Sequence, residues 1–247
     1  MSEWPLLAGL GVAVFLGTAT QRITGMGFAL VASPFLVALL GPFEGVLVVN
    51  VFGLITAAVV FLRVFREVEY RRALLLLVPA TIAAIPGAIV ARTVSPPLLM
   101  IIVGGLLIVA LVGSLVVRNR RLFGGKRGAV AAGFVSGFMN VTAGVGGPAI
   151  SAYAIASRWP QRAFAATAQL YFCVLGGVSL LAKWSLPRLD PPQWAACAAA
   201  VICGVIVGEL LSRWVSPRAA RAFVVVIAFA GALLILVKGI VEIVPAP

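Results

Sequence analysis

Gln21-Arg22-Ile23-Thr24-Gly25-Met26-Gly27 interrupts an apolar run that otherwise extends from Pro5 to Leu40. A continuous helix over that run would be about 54 Å long at 1.5 Å per residue, nearly twice the hydrocarbon core of a bilayer. One straight span is therefore excluded. Either a tilted helix carries a long tail, or the chain enters, breaks between Thr20 and Gly27, and returns as a hairpin. The sequence repeats the pattern 119 positions on, where Asn140-Val141-Thr142-Ala143-Gly144-Val145-Gly146-Gly147-Pro148 interrupts the run from Ala129 to Ala156. The same shift lays Thr24-Gly25-Met26-Gly27 on Ala143-Gly144-Val145-Gly146, Gln21 on Asn140 and Asn50 on Gln169. Polar residues falling on polar positions inside apolar runs mark an internal repeat.

The surroundings are those of a membrane protein. Hydrophobic residues make up 62% and charged residues 11% of the chain, whereas globular domains carry about a quarter charged residues. Apolar stretches at 43–62, 72–91 and 97–117 follow the first break, and stretches at 161–183, 193–213 and 218–243 follow the second. Each has the length of a spanning helix, and none alternates with the period of a barrel strand. The net charge of +12 does not point to nucleic acid, because the basic residues sit in short loops between apolar spans, where they act as orientation signals. Cys173, Cys197 and Cys203 lie inside spans without CxxC spacing and read as packing residues. Met1-Ser2-Glu3-Trp4 lacks the positive flank of a secretory signal, so the first run is expected to stay in the mature protein.

Loop charge chooses between the two geometries of the breaks. Arg63 to Arg72 holds four arginines and Arg118 to Arg127 five basic residues, and two spans separate these loops. Both can therefore lie in the cytoplasm. If each broken run is a hairpin, Arg158, Arg162, Arg213, Arg218 and Arg221 fall on the same face, leaving Lys183, Arg188 and Lys238 outside; a single crossing reverses the second-half assignment. The sequence thus predicts an all-α polytopic membrane protein of two inverted repeats, residues 1–117 and 129–247, joined by a basic cytoplasmic linker at 118–128. Each repeat is a broken or re-entrant helical hairpin followed by three spanning helices, giving about ten helical segments and both termini outside.

Breaking a helix inside hydrocarbon frees backbone N–H and C=O groups, so both breaks must face protein or a wet cavity. A new helix is expected to start near Phe28 and near Ala149, presenting unpaired N–H groups and a positive dipole end, the usual ingredients of an anion site. Glycines let backbone approach a ligand, and Pro148 suits a first helical turn. The candidate substrate-binding set is Gln21, Arg22, Thr24, Gly25, Gly27, Asn140, Thr142, Gly144, Gly146 and Gly147. Thr20 and Ser151 stand further from the breaks. Asn50 and Gln169 are secondary candidates that either line the cavity or brace the hairpins. Arg22, opposite Val141 in the repeat, either touches substrate or holds the hairpin tip in place. Glu209 stands one turn before Arg213, the spacing of an i, i+4 ion pair, with proton coupling as the alternative. Gly204-x-x-x-Gly208 reads as a close helix contact.

The run from Thr24 to Pro34 (Thr-Gly-Met-Gly-Phe-Ala-Leu-Val-Ala-Ser-Pro), its echo Gly144-Val145-Gly146-Gly147-Pro148, and the two four-segment halves resemble the TauE/SafE sulfite exporter family of permeases. The resemblance implies transport of sulfite or a related sulfur-containing or organic anion across the bacterial cytoplasmic membrane. A secondary transporter working by alternating access is the leading expectation. An anion channel is the nearest rival, and a membrane assembly protein a more distant one. An enzyme is disfavoured: the chain has no His, and its spans hold no Asp and, apart from Glu44 and Glu242 at their very ends, only Glu209 as a carboxylate. Neither a cofactor nor a metal is expected. The expected partners are the small anion and membrane lipid. A coupling proton or sodium ion and a homodimer are both compatible with the sequence.

Overall fold

The computed structural model describes residues 3–24, 27–116, 125–212, 214–215 and 217–243. Among them are ten α-helices: α1 Glu3–Thr24, α2 Phe28–Leu40, α3 Pro42–Val64, α4 Tyr70–Thr93, α5 Pro96–Val116, α6 Gly125–Ala143, α7 Gly147–Ala156, α8 Gln161–Lys183, α9 Pro191–Leu211 and α10 Pro217–Ile243. A single 3-10 turn, Phe65–Glu67, follows α3. By length and apolar composition seven helices can cross a membrane, namely α1, α3, α4, α5, α8, α9 and α10, while α2 and α7 are short apolar helices. The protein is an all-helical, multi-pass membrane protein.

Both breaks are shorter than the polar stretches that signal them. Helix α1 continues through Gln21, Arg22 and Thr24, and α6 continues through Asn140 and Thr142 to Ala143. Polar side chains need not end a helix when they bond back to it: Thr20 Oγ1 donates to Leu16 O at 2.7 Å, Thr24 Oγ1 to Thr20 O at 2.8 Å, and Thr142 Oγ1 to Phe138 O at 2.8 Å. The second break falls where Gly144 adopts φ 75°, a left-handed conformation that glycine takes without a side-chain clash. Helix α7 then starts at Gly147 with Pro148 in its first turn. Gly25 and most of the linker expected at 118–128 lie outside the described residues, as do Arg213 and both chain ends; Gly125 to Gly128 already belong to α6.

Helix bounds recur at the spacing of the sequence repeat. Helix α3 runs from 42 to 64 and α8 from 161 to 183, each limit displaced by 119; α2 and α7 begin at 28 and 147 with the same displacement. Packing follows the correspondence. Helix α1 lies along α9, and its counterpart α6 lies along α4, while α3 packs on α8 and α5 on α10. One apolar cluster unites α4, α6, α7 and α8, and another unites the corresponding α9, α1, α2 and α3.

Missing side chains make the two long contacts possible. A Cβ on Gly133 would stand 2.3 Å from Leu76 O, and one on Gly137 would stand 2.2 Å from Ala80 O. In α9, a Cβ on Gly204 would come within 2.8 Å of Thr18 Cβ, and one on Gly208 within 2.8 Å of Arg22 Cβ. The Gly204/Gly208 pair is a helix-packing motif, as its spacing predicts. In both pairs residue numbers rise together, so the paired helices run parallel. Helices α3 and α8 instead run antiparallel, with Gly176 against Asn50 and Leu54, and Lys183 against Phe43.

One end of the bundle is basic. The α3–α4 corner there carries Arg63, Arg66, Arg71 and Arg72, and it is tied to the α7–α8 corner. Arg162 Nε donates to Glu67 Oε2 at 2.7 Å, Trp159 Nε1 to Glu69 Oε1 at 2.9 Å, and the Glu69 N–H to Thr167 Oγ1 at 3.0 Å.

Candidate functional site

The two breaks border one cavity of about 440 Å³. The first turn of α2 (Gly27, Phe28, Ala29, Leu30) and the first turn of α7 (Gly147, Pro148) both line it. Two helix N-termini, each carrying backbone N–H groups without intrahelical partners, thus face the same space. From the middle the cavity extends toward the basic end, where Ile155, Arg158 and Gln161 at the α7–α8 corner are exposed lining residues.

Polar side chains around this space are joined across the repeat. Gln21 Nε2 donates to Gln169 Oε1 at 3.1 Å, and Asn140 Nδ2 donates to Asn50 Oδ1 at 2.9 Å. Since Gln21 corresponds to Asn140 and Gln169 to Asn50, these are the same bond made twice, once from each half. Asn140 Nδ2 also donates to Ser179 Oγ at 2.9 Å, and Asn50 Nδ2 to Val46 O at 2.9 Å. All five side chains are buried. In a membrane interior such amides need partners, and a network with every member satisfied fixes the helices that carry it. The tip of the second hairpin is anchored as well: Ser33 Oγ on α2 donates to Ala143 O at 2.7 Å, and Ser136 Oγ to Gly146 O at 2.7 Å.

The sequence candidates divide into four groups. Gln21, Thr24, Gly27, Asn140, Gly144 and Gly147 line the cavity, as does Asn50. Gln169 stands behind Gln21 as its acceptor, Thr142 is buried with its hydroxyl on Phe138 O, and Gly146 packs under Ser136, so these three are not lining residues. Gly25 lies outside the described residues.

Arg22 is placed elsewhere. Its guanidinium points to α9 and pairs with Glu209 through both Nε, at 2.7 Å, and a terminal nitrogen; Arg63 approaches the same carboxylate at 3.6 Å. Arg22 is not among the cavity-lining residues. With side-chain exposures of 27% and 35% the pair is partly screened, so Arg22→Gln is expected to cost at most about 1 kcal/mol of stability. Glu209→Gln should cost a similar amount, and the double variant clearly less than the sum. Thermal melting of the four proteins in detergent measures this. Additive losses would show that the two side chains do not act on each other.

Arg158 and Ser179 are the site residues that sequence reasoning did not single out. Arg158 reads as one more loop arginine, yet the left-handed turn at φ 50° sets it at the cavity mouth. Ser179 is a lone hydroxyl in an apolar helix, with no pattern to mark it. Among the described residues no group of three or more His, Cys, Asp or Glu is placed to hold a metal.

A family model described as sulfite exporter TauE/SafE matches residues 10–235, nearly the whole chain. No curated protein and no solved structure matches it significantly.

Proposed function

The chain belongs to the sulfite exporter TauE/SafE family, a family of transporters, and we propose that it carries a small oxyanion, sulfite or an organic sulfonate, across the bacterial cytoplasmic membrane. The observation that supports this most directly is the cavity shared by the N-termini of α2 and α7. Their N–H groups provide a positive surface for an anion, with no acidic side chain among the described lining residues, and the buried amides around Gln21 and Asn140 hold both hairpin tips against α3 and α8. In this reading residues 1–117 and 129–247 are inverted repeats, with the basic end cytoplasmic by the positive-inside rule. The antiparallel packing of α3 on α8 supports inversion, because these two helices occupy equivalent positions in the two halves.

The same geometry supports a reading by alternating access. The cavity reaches the basic end; with that end cytoplasmic in this reading, the open cavity supports loading from the cytoplasm, as export requires. Rocking of one hairpin-bearing half against the other would close the α7–α8 corner and open the opposite end. Arg22 holds α1 to α9 through Glu209 and so keeps the first hairpin tip in place, without itself touching substrate.

The test is counterflow of sulfite and of methanesulfonate in liposomes, alongside thermal stabilisation of the purified protein by each. Stabilisation and saturable exchange are expected. Currents far above carrier turnover would replace the transporter with a channel, and absence of any anion effect would remove the proposal.

Arg158 gives a sharper expectation. An exposed guanidinium at a low-dielectric mouth raises the local anion concentration. Arg158→Gln is expected to raise the half-saturating sulfite concentration from the cytoplasmic side by roughly tenfold at low salt, with the difference shrinking as salt screens the field. An unchanged half-saturation at low salt would exclude Arg158 from recruitment.

A further inference from the structure

Lys183 ends α8 at the pole opposite Arg158. Helix α8 begins with Gln161 at the cavity mouth and reaches Lys183 some 22 residues later. The lysine is 1% exposed, and its Nζ is buried with no hydrogen-bond partner among the described residues. It lies over the ring of Phe43 at 5.6 Å from the centroid. A buried ammonium ordinarily obtains an acceptor or a carboxylate. Two features draw a cation to this spot, the carbonyl end of α8 and the nearby carboxylate of Glu44. Neither supplies a hydrogen bond to Nζ, and Glu44 Oε2 accepts instead from the Arg188 N–H at 3.0 Å. Phe43 and Glu44 also line a second cleft, of about 520 Å³, at the α2–α3 corner.

The two corners correspond through the repeat. The α7–α8 corner, 157–160, forms the mouth of the open cavity, and the α2–α3 corner at Gly41 is its counterpart at the other pole. At the first, an arginine stands exposed at the opening. At the second, a lysine is sealed under an aromatic ring without an acceptor. A group with three donors, buried without an acceptor among the described residues at the pole opposite the open mouth, is chemically suited to an oxyanion.

We propose that Lys183 is an oxyanion-binding group of the second mouth: when the cavity opens at the pole opposite Arg158, Phe43 moves off Lys183 and the ammonium takes the sulfite or sulfonate on its way out. This rests on the transport reading given above. It adds a second charged site, with Arg158 at one mouth and Lys183 buried at the other, where the exposed Arg92 lines the second cleft.

The test uses right-side-out and everted vesicles containing the full chain, with sulfite and methanesulfonate as probes. Lys183→Met keeps the length and apolar stem of the side chain and removes the charge. It should raise the half-saturating concentration about tenfold or more at one face only, the scale of one lost charged hydrogen bond. Arg158→Gln should act at the other face, and Lys183→Arg should stay close to wild type at both. Lys183→Met should melt no lower than wild type without anion, because it removes a buried charge without an acceptor.

A second measurement needs no variant. Amine methylation of Lys183 in the wild-type protein, followed by mass spectrometry, should be slow and further suppressed by sulfite. Unchanged half-saturation of Lys183→Met at both faces, equal changes at both, or labelling indifferent to sulfite would overturn the assignment. Wild-type protein without saturable exchange of either probe would overturn the transport reading, and this assignment with it. Normal wild-type exchange with an unaltered Lys183→Met would overturn the lysine site alone.

Discussion

Gly137→Ala is expected to give the largest loss of folded protein of any single methyl added to this chain. Its new Cβ would stand 2.2 Å from Ala80 O, 2.5 Å from Ala80 Cα and 2.7 Å from Ala80 C. All three atoms are backbone, so no side chain can swing aside, and α6 must move away from α4 along its length. Overpacking of this kind costs about 3 kcal/mol or more, and loss of the close contact removes the dispersion that replaces the hydrophobic effect between helices in lipid. Gly105→Ala is the control. Nothing lies within 4 Å of its added Cβ, so it should be neutral or slightly stabilising through helix propensity. Thermal melting in detergent with size-exclusion chromatography reads both. Equal melting of the two variants would mean that α4 and α6 are not packed as described. Transport should fall along with stability, because Asn140 lies one turn beyond Gly137 and moving α6 would pull its amide from Asn50 and Ser179.

Asn140→Leu is the second large effect, and it falls on transport more than on folding. Leucine has similar bulk but donates nothing, which leaves Asn50 Oδ1 and Ser179 Oγ, both 2.9 Å from Asn140 Nδ2, without that donor. Each buried acceptor stranded in this way costs about 1–3 kcal/mol. The second hairpin tip would lose its register against α3 and α8, and sulfite exchange should drop by at least about tenfold, consistent with roughly 1.4 kcal/mol per decade. Asn140→Asp separates the structural part from the electrostatic part. Aspartate also lacks the donors, and it adds a negative charge to a surface proposed for anions, so it should be worse than leucine. Asn140→Asp exchanging sulfite as well as Asn140→Leu, or better, would show that the cavity is not built for negative charge.

The same residues show how far the sequence could be read. The polar stretches around Gln21 and Asn140 stand out because nearly every neighbour is apolar, and the break, the returning helix and the repeat follow from that contrast. The helix start at Phe28, the start of α7 to within two residues (Ala149 expected, Gly147 found), the Gly204/Gly208 contact and the membrane class are legible for the same reason. Where each break begins was less legible, because Thr20, Thr24 and Thr142 satisfy their hydroxyls on their own helices and carry α1 and α6 further than the polarity suggests.

Arg22 marks the boundary between the two kinds of information. From the sequence it is a charge at depth with no assigned partner; the structure gives it Glu209, 187 residues away, and turns it from the cavity. Arg158 moved the other way, from a loop charge to the cavity mouth, and Lys183 from a loop charge to a buried helix end. Hydropathy is a property of each residue with its immediate neighbours, so the sequence by itself determined that this chain spans a membrane and that its long apolar runs are interrupted twice, 119 positions apart. Which amide meets which, and which cation faces the cavity, depends on contacts between helices far apart in the chain. Those contacts are set by glycine-lined backbone approaches and by rotation of each helix about its axis, and only the packed structure decides them.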